Sequence, residues 1–115
     1  MKYLLLMYGA EARWDGATAQ EQEAWIEAHQ RFSDAVADLG QLLGGEALGT
    51  ADTATTLRPA GPDGRRTITE GPSAESVEQL GGFYLVEVDN LDTMIELAGL
   101  LPDYYELEIR PVTAQ

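Results

Sequence analysis

A few side chains in this 115-residue chain carry the types and settings that chemistry needs. His29 is the only histidine. Its ordinary pKa of about 6.5 suits it to act as a general acid or base. It falls on the apolar stripe of a predicted helix, one turn after Trp25, where it could line a pocket. The alternative is a packed histidine hydrogen-bonded to a backbone carbonyl. Glu70 ends a predicted strand within Thr-Ile-Thr-Glu-Gly-Pro-Ser, residues 67–73. Gly71 admits backbone angles closed to other residues, and Pro72 restricts the residue before it. Together they fix where Glu70 points. A carboxylate held against apolar surface has its pKa raised and can exchange a proton; an exposed acid in a rigid turn is the competing reading. Ser73 fits an N-cap better than a nucleophile, since no elbow motif or triad accompanies it. Arg110 could bind a carboxylate in bidentate fashion, or pair with Glu106 or Glu108 on its own strand. Tyr8 and Trp14 flank the segment after the first strand and are the aromatic pocket candidates. No ligand-spaced motif supports a metal, and Gly44-Gly45 and Gly81-Gly82 lack the pattern of a phosphate loop. Neither cofactor nor metal is expected.

The elements that must position these residues follow from periodicity. Residues 2–8, KYLLLMY, are apolar at odd and even positions, as in a central strand covered on both sides. The apolar run of about six residues is shorter than the roughly 7–15 of a secretory core. Residues 9–17 read as a loop. Thr18-x-x-Glu21 is a capping box opening a helix that runs to about residue 39 and is stopped by Gly40. Trp25, Ala28 with His29, Phe32, Val36 and Leu39 form its buried stripe. Residues 41–50 predict a strand with a bulge or close backbone approach at Gly44-Gly45. Residues 53–70 predict a hairpin around the turn AGPDG, followed by a short helix or turn over 72–79. Residues 81–88 predict another doubly apolar strand, Asp89-Asn90 a cap for a helix from residue 91 to about 100, and residues 104–112 a last strand with one apolar and one polar face.

Reduced to its core, this order is βαβ twice, the split ferredoxin-like arrangement of an α+β fold: an antiparallel sheet with two helices on one face, here with an extra hairpin and short helix. The uncovered face would be apolar, and a bare apolar face implies a partner. A homodimer packed sheet on sheet is the economical answer.

KYLLLMYG, LLGGEALG, the TATT strand, TEGPSAESVEQLGGFYLVEVDNLD and the closing EIRPV resemble, in order and nearly end to end, the YCII-related family, and more narrowly its branch named for an Asp-Gly-Pro-Phe motif. The resemblance implies a dimeric ferredoxin-like domain of the dimeric α/β-barrel type. It implies, for the wider family, enzymatic activity around a His and an Asp. For the branch, whose members are often encoded beside extracytoplasmic-function sigma factors, it implies an accessory or regulatory role. This chain has Glu70-Gly71-Pro72-Ser73 at the motif, and Val77 where the branch often has lysine. The carboxylate survives, one methylene longer; the aromatic and the lysine are gone.

Composition sets the outer bounds. The length fits one domain. Seven Lys and Arg against 20 Asp and Glu give a net charge of −13, which repels nucleic acid and anionic membranes. The acids are dispersed, as on a solvated surface. With no cysteine, disulfides and thiolate chemistry are excluded, and a cytoplasmic location is expected. The expectation is therefore a homodimer with a small apolar pocket between the sheet, the first long helix and the Glu70 turn. It would bind a small organic molecule and transfer a proton through His29 and Glu70. The other reading is a non-enzymatic accessory protein whose acidic surface meets a partner such as a sigma factor.

Overall fold

The computed structural model describes residues 1–113. Strand β1 (Lys2–Ala10) leads into a short helix α1 (Glu11–Asp15) and the long helix α2 (Ala19–Leu39). Strand β2 (Gln41–Ala47) follows, then a hairpin of β3 (Thr55–Leu57) and β4 (Ile68–Glu70). Strand β5 (Glu78–Glu87), helix α3 (Leu91–Ala98) and strand β6 (Glu106–Pro111) complete the chain. The main sheet has the order β2-β5-β1-β6, every pair antiparallel. This is the ferredoxin-like α+β arrangement, open at both edges rather than closed into a barrel.

Local chemistry explains the long helix. The Thr18 hydroxyl accepts from the Glu21 N–H and the Glu21 carboxylate accepts from the Thr18 N–H, both at 3.1 Å. Two N–H groups that the first turn leaves orphaned are thereby satisfied. At the far end the Gly40 N–H closes on Val36. Ala28, Phe32 and Val36, four residues apart, are the buried line of α2; Leu39, expected on it, is exposed in the last turn. Phe32 and Val36 share one cluster with Tyr3, Leu5 and Met7 of β1, Val86 of β5, and Met94 and Leu97 of α3. Each fully buried large side chain here contributes about 1.5–3 kcal/mol.

Strand alternation puts Leu4, Leu6 and Tyr8 on the other face of the sheet, with Leu4 opposite Leu85 and Leu6 opposite Phe83 in the register. These residues are only half-buried. The chain is a slab of 51 × 41 × 18 Å. Its radius of gyration of 16.4 Å exceeds the about 13 Å of a compact domain of this length.

Three local expectations are corrected. Residues 9–17 are not simply a loop: β1 runs on to Ala10, and residues 11–15 form α1, whose Trp14 packs on Trp25 and whose end is closed by the Gly16 N–H on Ala12. The segment 72–79 forms no helix. The Gln79 side chain donates to the carbonyls of Ala74 and Ser76, and the Ser76 hydroxyl accepts from the Glu78 N–H, so side chains satisfy groups that a helix would have paired. The hairpin is shorter than predicted and is a separate two-stranded sheet. The expected irregularity at Gly44-Gly45 is present, as a register shift between Leu42 and Gly44.

Candidate functional site

A cleft of about 530 Å³ opens where α1, the N-terminal half of α2, the ends of β1, β2 and β5, and the residues before β6 converge. Its wall is aromatic. Trp14, Trp25, Tyr104, Tyr105, His29 and Tyr84 follow one another with successive ring-centroid separations of 6.1, 4.6, 4.3, 6.2 and 5.9 Å. Helix α2 supplies Trp25 and His29 from neighbouring turns of one side, β5 supplies Tyr84, and the residues entering β6 supply Tyr104 and Tyr105.

Two glycines make room for these rings. A Cβ on Gly45, the cross-strand neighbour of Tyr84, would lie 2.5 Å from the Tyr84 ring. A Cβ on Gly9 would lie 3.0 Å from Tyr105 and 3.2 Å from Tyr104. The close backbone approach expected at Gly44-Gly45 is thus used at Gly45, where the phenol of Tyr84 lies against bare backbone.

The polar centre of the cleft is a pair. His29 Nδ1 lies 2.7 Å from the Tyr84 hydroxyl, and both residues are half-buried. Burial pushes the His29 pKa down, toward the neutral imidazole. Burial, with a smaller contribution from Tyr105, pushes Tyr84 up. The pair is therefore neutral on both sides near neutral pH. In one tautomer Nδ1–H donates to the phenol oxygen and Nε2 is a base; in the other the phenol donates to Nδ1 and Nε2–H is a donor. Tyr104 is also held as a phenol, by burial and by Tyr105.

Of the residues singled out in the sequence, His29 and Trp14 line this cleft. Tyr8 does not. It alternates with buried Met7, so it emerges on the opposite face of the sheet and lines a second groove, of about 780 Å³, with Ser73 and Glu106. Ser73 caps no helix; its carbonyl accepts from Arg58 at 2.9 Å. Arg110 is exposed and pairs with Glu108 two residues away on its own strand, at 2.5 Å. Glu70 is exposed at the end of β4, opposite Thr55, and lines neither cavity. Gly71 beside it has φ +97°, as its position demanded, and donates to Ala54 at 2.7 Å. Within one chain Glu70 and His29 share no cavity, and the Glu70 turn does not bound the cleft. Tyr84, which no local sequence signal singles out, is the partner that His29 meets. The signal that could have found it was Gly45, a glycine opposite an aromatic on paired strands. Among the described residues, no group of three His, Cys, Asp or Glu side chains is placed to hold a metal, and no helix is long and apolar enough to cross a membrane.

The family model for the YCII-related domain matches residues 1–113. An uncharacterised protein of Rhizobium meliloti (strain 1021) is 29% identical, the alignment covering 97% of this chain and 92% of that protein.

Proposed function

The chain belongs to the YCII-related family, and from that premise we propose that it binds a small organic molecule in the aromatic cleft and moves a proton on it through His29, with Tyr84 as the positioning partner. The observation that carries this reading is the 2.7 Å contact between His29 Nδ1 and the Tyr84 hydroxyl inside a cleft of about 530 Å³. Pockets of roughly 300–1,000 Å³ with apolar walls and a few converging polar groups are the usual size and make-up of small-molecule sites. A neutral imidazole whose Nδ1 is engaged leaves Nε2 as the atom that meets the ligand. Glu70 has no part in this step within one chain.

In this reading the protein works as a homodimer, with the half-exposed face of Leu4, Leu6, Phe83 and Leu85 packed on a second copy. Support comes from that apolar face and from a radius of gyration larger than a self-sufficient domain of this length would have. A solution mass equal to the 12.5 kDa chain would contradict it.

A thermal-shift screen of small organic molecules tests the cleft. A compound present at 100 times its Kd stabilises by about 2.7 kcal/mol, well within detection. Compounds that stabilise the native protein are expected to lose most of that effect in His29→Gln and in Tyr84→Phe. Stabilisation that survives both substitutions would place the ligand elsewhere and sink the proposal.

A further inference from the structure

We infer that the cleft selects organic cations, compounds that carry a quaternary or protonated amine beside an apolar group. This rests on the cleft being the ligand site. Two observations set the preferred charge. The first is the unbroken line of six rings from Trp14 to Tyr84, with separations of 4.3–6.2 Å. Aromatic faces carry partial negative charge and attract ammonium groups within about 6 Å of a ring centroid. The chain itself uses this property: the Arg13 guanidinium lies 5.8 Å from the Trp25 centroid and 6.0 Å from that of Tyr104.

The second is the formal charge around the same space. Glu11, Asp15 and Glu46 line the cleft, and no Lys or Arg is among its lining residues. Glu11 accepts from the Ala51 N–H at 2.7 Å, which fixes one carboxylate at the rim. The one ion pair among the described residues, Arg110 with Glu108, lies outside the cleft, so none of the three acids is neutralised by a salt bridge. His29 is held neutral by burial and adds no positive charge. The net charge of −13 further enriches cations near the surface. A carboxylate ligand would meet acidic residues at the rim, while Arg13, whose guanidinium is engaged over the Trp25 and Tyr104 rings, is not among the lining residues. An alkylammonium would meet ring faces inside and acids at the rim.

The chain carries a built-in reporter, because its two tryptophans, Trp14 and Trp25, both belong to the cleft wall. Tryptophan fluorescence is titrated with three probes of similar size: benzyltrimethylammonium, benzyl alcohol and benzoate. Benzyltrimethylammonium is expected to saturate with an affinity about tenfold or more above benzyl alcohol, the ratio that one desolvated cation–π contact supplies. Benzoate is expected not to saturate. Asp15→Asn, at an exposed lining position of α1, is expected to weaken the cation about threefold and leave benzyl alcohol unchanged. If benzyl alcohol or benzoate binds as tightly as the cation, the cation preference is overturned and the cleft remains a ligand site. If no probe saturates, both the preference and the cleft as a ligand site are overturned.

Discussion

Replacing Tyr84 with phenylalanine removes one oxygen and leaves the ring that packs on Phe32 at 4.7 Å. What is lost is the hydrogen bond to His29 Nδ1. A neutral pair of this kind contributes about 0.5–1.5 kcal/mol net. Both partners are half-buried, so water can partly replace the phenol and the lower half of that range is expected. His29→Ala removes the same bond together with the imidazole's contacts to Tyr84 and Tyr105. The two single variants therefore count the bond twice and the double variant counts it once. Urea unfolding of the four proteins should give a coupling of about 0.5–1 kcal/mol, the size measured for residues in direct contact. The same Tyr84→Phe change should lower Tm by about 2–6 °C. If the double variant equals the sum of the singles within about 0.3 kcal/mol, the pair makes no energetically significant bond and the reasoning about the cleft's polar centre fails.

Other consequences follow from the same geometry. The folded pKa of His29 lies below its unfolded value, so the unfolded chain binds more protons and stability must fall as pH drops below about 6.5. The slope cannot exceed about 1.4 kcal/mol per pH unit, and it should vanish in His29→Gln when denaturation midpoints are compared above the range where carboxylates titrate. Gly45→Ala should cost about 1–3 kcal/mol by thermal unfolding, because the new methyl would lie 2.5 Å from the Tyr84 ring; a neutral effect would mean that Tyr84 can move away freely. Glu70→Gln should change stability by less than about 0.5 kcal/mol and leave ligand binding in the cleft intact, as expected for an exposed residue outside it. Lost ligand binding in that variant would return Glu70 to the site.

Much of the fold was legible because its signals are local. Thr18 and Glu21 announce the start of α2 through a bond between residues three apart, Gly40 its end, and Asn90 the start of α3, where its side chain accepts from the Thr93 N–H. The doubly apolar strands marked the centre of the sheet. The site was less legible because it is assembled at long range. His29 was recognised by its place on the helix stripe, but its partner lies 55 residues away on β5. Tyr104 and Tyr105 enter through the start of β6, and nothing in their own segment says which helix they meet. Glu70 stands apart from His29 within one chain for the same reason. Its Gly-Pro turn is locally well specified, as the φ of Gly71 bears out, yet the hairpin carrying it belongs to a separate sheet whose placement no local pattern encodes. Tyr8 and Trp14 look adjacent across the end of β1, and strand alternation alone separates them onto opposite faces of the sheet.

The claim that a neutral, tyrosine-bound imidazole sits at the centre of the cleft is tested most directly by following the ring nitrogens of His29 by NMR as pH is varied. The signal is unambiguous because the chain has one histidine. A titration midpoint below about 6.5 and a single tautomer held by the bond at Nδ1 are the expected result. A midpoint at or above about 6.5, with both nitrogens averaging between tautomers as in free imidazole, would contradict it.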